Sequence, residues 1–186
     1  MATFIATATG KLSGLMEGGK VRKTEEEMDK ILVQAQNFYQ ETATLEGRGR
    51  FPGQDKYNMG VGGYTTELDV INDLENFSTF DNQLGENWCS IFGIDHNEAP
   101  MPSGALFVND TIAAEEKCDA CTETRYAGHD DWQYKFGGNA LLSPFQDGHY
   151  IYVVIPGSGS GESAEPPILY IADAENPKFL NKLLQF

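Results

Sequence analysis

Apolar and polar positions repeat along this chain with two different periods, and the change of period marks its elements. In residues 24–46, Met28, Ile31, Leu32, Ala35, Phe38, Tyr39, Thr42 and Leu45 recur every three or four positions, drawing one stripe down a helix. Thr24-Glu25-Glu26-Glu27 stands before the stripe as a capping box, its glutamates suited to the positive end of the helix dipole, and Gly47 is the stop. The spacing therefore predicts an N-terminal helix over about 24–46, packed by its stripe on a sheet of the same chain. A second helix is predicted from Thr66 to about Phe77, with Thr66 as cap, Asp69 at the third position, and Leu68, Ile71 and Leu74 on one face.

The period shortens in the last third. Residues 150–155 and 168–172 are uninterrupted β-branched, aliphatic and aromatic runs, the pattern of strands buried on both faces. Residues 156–167 between them carry no core-forming side chain. Asn176-Pro177 then reads as a cap and first helical position, with Phe179, Leu180, Leu183 and Leu184 as an apolar face, predicting a short C-terminal helix over about 177–185 that carries Lys178 and Lys182. Shorter apolar runs at 88–94 and 105–108 read as strands, and 112–117 as a helical stretch capped by Asp110 or Thr111. Trp132-Gln133-Tyr134-Lys135-Phe136 alternates as a strand does, which places its three aromatics on one packed face rather than on a sugar- or peptide-binding platform.

Helices at both ends, with strands between and after them, predict the α+β class: a single domain over 24–186 with a mostly antiparallel or mixed sheet. Ahead of it, Met1 to Thr9 can form a strand, while Gly10, Gly14, Gly18 and Gly19 break up any regular element between that strand and the first helix, so residues 1–23 are expected to form a flexible arm. Residues 47–63, with six glycines and Pro52, read as an exposed polar loop in which Arg48 and Arg50 stand where a phosphate or carboxylate can approach.

Charge changes the picture more than size does. The 186 residues suit one domain, but 13 Lys and Arg against 28 Asp and Glu give a net charge of -15. Residues 1–56 hold 8 of each sign, and the rest hold 5 basic against 20 acidic, so the whole excess lies beyond residue 56. Such a field repels nucleic acid and anionic lipid and leaves a basic protein as the favoured partner. The start of the chain lacks the basic region of a secretory leader, and no run of about 18 apolar residues occurs, so a soluble, cytoplasmic or otherwise intracellular protein is expected. The triplets Asn76-Phe77-Ser78 and Asn109-Asp110-Thr111 would accept glycans only in a secretory compartment.

Three cysteines are too few for a disulfide framework. Cys118-Asp119-Ala120-Cys121 is half of a zinc motif or a redox dithiol, and His129 is the nearest third ligand, making Cys118, Cys121 and His129 the candidate metal site. No second CxxC completes it; no cofactor is expected, zinc being the one alternative. His129-Asp130-Asp131 and Asp95-His96-Asn97-Glu98 set imidazoles beside carboxylates, in sequence that reads as solvated loops. Cys89 is the candidate nucleophile should His96, His129 or His149 reach it; otherwise it is a small buried apolar residue. Gly157-Ser158-Gly159-Ser160-Gly161 comes after a strand as phosphate loops do, but lacks their lysine and helix.

These features rank a non-enzymatic acidic interaction protein first, one binding a basic protein partner as inhibitors and immunity proteins do. A structural subunit that self-assembles into a homo-oligomer through its N-terminal arm ranks second. A hydrolase dependent on Cys89 or on a metal ranks third.

Overall fold

The computed structural model of the protein describes residues 3–6, 18–76, 87–92, 131–145 and 150–186. Five strands, β1 (Thr3–Ala6), β2 (Cys89–Ser90), β3 (Tyr150–Ile155), β4 (Ile168–Asp173) and β5 (Asn181–Gln185), form one antiparallel sheet in the order β1-β5-β4-β3-β2. The two apolar runs are its centre: β3 and β4 pair from Tyr150 opposite Asp173 to Ile155 opposite Ile168. Successive side chains point to opposite faces, and burial of both faces is what makes these runs apolar throughout.

Each face has its own helix. Tyr150, Tyr152, Val154, Leu169, Ile171 and Leu184 meet Met28, Ile31, Leu32 and Ala35 of α1 (Gly18–Glu46). On the reverse, Ile151, Val153, Tyr170, Ala172 and Leu183 meet Val70 and Leu74 of α2 (Glu67–Asn76), together with Tyr64 and Trp88. The chain is thus an α+β domain of helix, sheet and helix. No helix among the described residues is long and apolar enough to cross a membrane.

Several expectations are corrected. The C-terminal helix predicted over 177–185 is instead a turn at 177–180 followed by β5. Adjacent Leu183 and Leu184 bury on opposite faces, which a strand allows and a one-sided helix does not, and β5 is hydrogen-bonded on both edges, to β4 and to β1. The first helix begins at Gly18, not near 24, so 18–23 belong to it rather than to an arm. Val21 packs on the core and Thr24 and Glu27 are buried, so the stripe runs back past the capping box, whose residues lie inside the helix. Helix packing outweighs the cost of Gly18 and Gly19.

Residues 131–135 are helical, not extended, so Trp132 and Phe136 share a face, their ring centroids 6.4 Å apart, while Tyr134 points to solvent. The 47–63 loop is not wholly exposed: residues 51–54 and Val61 are buried, while Asp55, Lys56 and Asn58 face solvent. Gln54 is fully buried, its side-chain oxygen accepting from the Phe51 amide (2.7 Å) and its amide group donating to the carbonyls of Tyr57 (3.1 Å) and Met59 (2.6 Å). Val61 adds a bridge to Val154, and Gly62 comes next at φ +87°, where a Cβ would stand 2.5 Å from the Asn87 carbonyl oxygen. The predicted elements at 105–108 and 112–117 lie outside the described residues.

Candidate functional site

Among the described residues, a surface left open by the fold is on α2. Thr66 caps it as its sequence predicts: the hydroxyl accepts from the Asp69 amide (3.3 Å) and donates to the Asp69 carboxylate (2.6 Å), with Glu67 and Asp69 in the positive first turn. The face predicted to pack does so only at Leu74. Val70 and Leu74, four residues apart, are the buried pair, whereas Leu68 is 64% exposed and Ile71 41% exposed. Of the large apolar side chains exposed among the described residues, these two stand one turn apart on one helix.

Acids surround them. Glu67, Ile71 and Glu75 succeed one another at four-residue spacing, Asp69 and Asp73 form a second such pair, and α2 contains no Lys or Arg. Glu67 accepts a hydrogen bond from the Tyr170 hydroxyl (3.0 Å), and burial together with this carboxylate holds that phenol protonated well above its ordinary range. Burial, with Asp73 beside it, does the same to Tyr64. Glu67 and Asp73 are therefore turned toward the sheet, while Asp69 and Glu75 face outward.

Between α2 and the β4–β5 turn runs a groove of about 270 Å³, lined by Ile71, Leu74, Glu75, Tyr170, Lys178, Phe179 and Asn181. Its far wall is set by a buried acid. One oxygen of Asp173 accepts from the amides of Glu175 (3.1 Å) and Asn176 (3.0 Å) and from the Asn176 side chain (3.3 Å), while the other accepts from the Ser143 hydroxyl. Asn181 then donates to the carbonyls of Pro177 (2.8 Å) and Lys178 (3.1 Å), which fixes the segment carrying Lys178 and Phe179. Burial pushes the Asp173 carboxyl up to about 6, against the pull of the Ser143 and Asn176 hydrogen bonds.

Cys118, Cys121 and His129, and with them His96 and His149, lie outside the described residues. Among the described residues no group of three or more His, Cys, Asp or Glu is placed to hold a metal ion. Cys89 is fully buried on β2 and packs into the core between sheet and α1. In the native protein its thiol should resist iodoacetamide and react only once the chain is unfolded in urea; rapid labelling of the Cys89 peptide under native conditions would restore the nucleophile reading.

Arg48 and Arg50 bind the chain itself. Arg50 pairs with Glu46 (3.0 Å) and Asp131 (3.6 Å) and donates to the Gln54 carbonyl (2.8 Å). Arg48 donates to the Gly161 carbonyl (2.9 Å) and lies over the Tyr57 ring. The glycine-serine segment is held by these contacts, with Ser158 bridged to Glu165. Glu27 accepts from the Tyr150 hydroxyl (2.6 Å) between α1 and β3, inside the core. The N-terminal strand pairs with this chain's own β5.

Comparison with protein-family models, with curated proteins and with solved structures finds no match for this chain. The signal for the α2 surface was present in its sequence, ELDVINDLEN, which holds more apolar positions than one packed stripe uses.

Proposed function

We propose that the chain is a non-enzymatic acidic interaction protein that binds a basic protein partner on the outer surface of α2. The observation that carries this reading is the composition of that surface: Asp69 and Glu75 facing outward on a helix with four acids and no base, and two large apolar side chains left in solvent. An exposed apolar pair on a helix whose charged residues are all acidic suits an interface in which burial supplies affinity and charge selects and steers the partner. The charge of the whole chain extends the same field, since every net negative charge lies beyond residue 56.

The test is affinity capture from the natural source, with wild type beside an Asn72→Lys/Glu75→Lys variant; both positions are exposed and neither takes part in the helix cap. Wild type should retain a basic protein in low salt. Retention should fall about tenfold in the variant, and similarly when ionic strength is raised, as expected for complementary charge. A partner held equally by both proteins at high salt would overturn the assignment of the surface.

A further inference from the structure

The groove beside α2 narrows the class of partner. It sits over Tyr170 of β4, and β4 is hydrogen-bonded on one edge to β3 and on the other to β5. No backbone edge is therefore offered there, so recognition by addition of a strand is closed and recognition must go through side chains. Its volume of about 270 Å³ has room for anchoring side chains of a larger partner. The floor and walls are apolar, from Ile71, Leu74, Tyr170 and Phe179, and Leu68 extends the apolar strip along α2.

We infer that the occupant is a basic amphipathic helix, which seats apolar side chains spaced three and four residues apart in the groove and sets its Lys and Arg against the outward-facing Asp69 and Glu75. This rests on the reading of α2 as the surface for a basic partner. Charge complementarity selects the sign of the flanks, and the apolar lining selects their spacing, because residues three or four apart on a helix share one face. Lys178 on the wall opposite α2 adds a discrimination: a uniformly basic segment meets a like charge there, whereas an apolar ridge passes it.

The experiment uses the full chain and two fluorescent peptides of about 18 residues, long enough to form helix in isolation. One carries Leu at three- and four-residue spacing on a Lys-Ala background; the other has the same composition with the leucines scattered. Anisotropy titration in low salt should give at least about tenfold tighter binding of the patterned peptide, and Ile71→Asp should remove that advantage. Val33→Asp, an equally exposed apolar position on α1 across the sheet, should leave it intact. Thermal unfolding of each variant confirms that the fold is retained. Equal binding of the two peptides, or equal loss in both variants, overturns the groove and leaves the charge reading standing. Failure of both peptides to bind wild type in low salt overturns the groove and the basic-partner reading together.

Discussion

Replacing Trp132 with alanine is expected to lower the stability of the domain by about 3–5 kcal/mol, the range for removing a large buried aromatic. Trp132 is fully buried and meets the Tyr152 ring edge-on, with centroids 5.4 Å apart, so its indole joins the 131–145 segment to the centre of the sheet. Tyr134→Ala should change stability by less than about 0.5 kcal/mol, because that ring is 75% exposed. Phe136→Ala should fall between, since Phe136 is half-buried and packs edge-on against Phe92 at 5.2 Å. Urea midpoints of the three variants check the order. The gap between Trp132 and Tyr134 is decisive: on a strand the three aromatics share a face and would lose stability together, whereas on a helix the middle one stands apart.

Sequence patterns carry where an element buries a long face and fail where it is short. β3 and β4 are legible because a strand covered on both faces has no polar position to interrupt it, and α1 is legible because Met28 to Phe38 bury one stripe against that sheet. Five-residue segments are not legible in this way. In Trp132-Gln133-Tyr134-Lys135-Phe136 the aromatics fit a two-residue period, yet Trp132 and Phe136 also fit a helical turn, and packing against Tyr152 and Phe92 decides between them. At the C-terminus, Leu183-Leu184 fits a helix face equally well until β4 and β1 pair on its two sides. These deciding partners are distant in sequence, beyond the reach of a local period.

The candidate surface was half legible. Thr66 and Asp69 marked the start of α2, and its four acids belong to the acid excess that the sequence shows beyond residue 56. Which apolar positions the fold would keep for itself was hidden, because Val70-Leu74 and Leu68-Ile71 are alternative stripes on one short helix. The sheet takes the first, through Tyr170 and Leu183, and so leaves the second in solvent. The groove wall was hidden for a related reason: Asn176 read as the cap of a helix, while with Asp173 it closes a hairpin turn.

That turn gives the second large effect, a stability that falls as pH rises. Asp173 is fully buried, and burial holds its carboxyl at about 6 rather than the ordinary 3.8; the nearby Glu175 charge raises it further, while bonds from Ser143 and Asn176 lower it. A folded value above the unfolded one means that the folded state binds this proton more tightly. The contribution is therefore complete below pH about 4 and is lost as pH climbs through about 6, amounting to about 3 kcal/mol at 1.36 kcal/mol per pK unit. Asp173→Asn should remove this dependence. The amide oxygen can still accept from Glu175 and Asn176, and the amide group can donate to the Ser143 hydroxyl oxygen, so the turn keeps its frame without a buried charge. Urea midpoints of wild type and variant, measured in steps from pH 4 to pH 8, isolate this one group, since the remaining acids titrate in both proteins. The variant should gain on the wild type as pH rises through 6, and parallel curves would show that Asp173 carries no such strain. Because the same turn presents Lys178 and Phe179 to the groove, the difference between the curves also measures how far the wall facing α2 is built at the expense of a buried carboxylate.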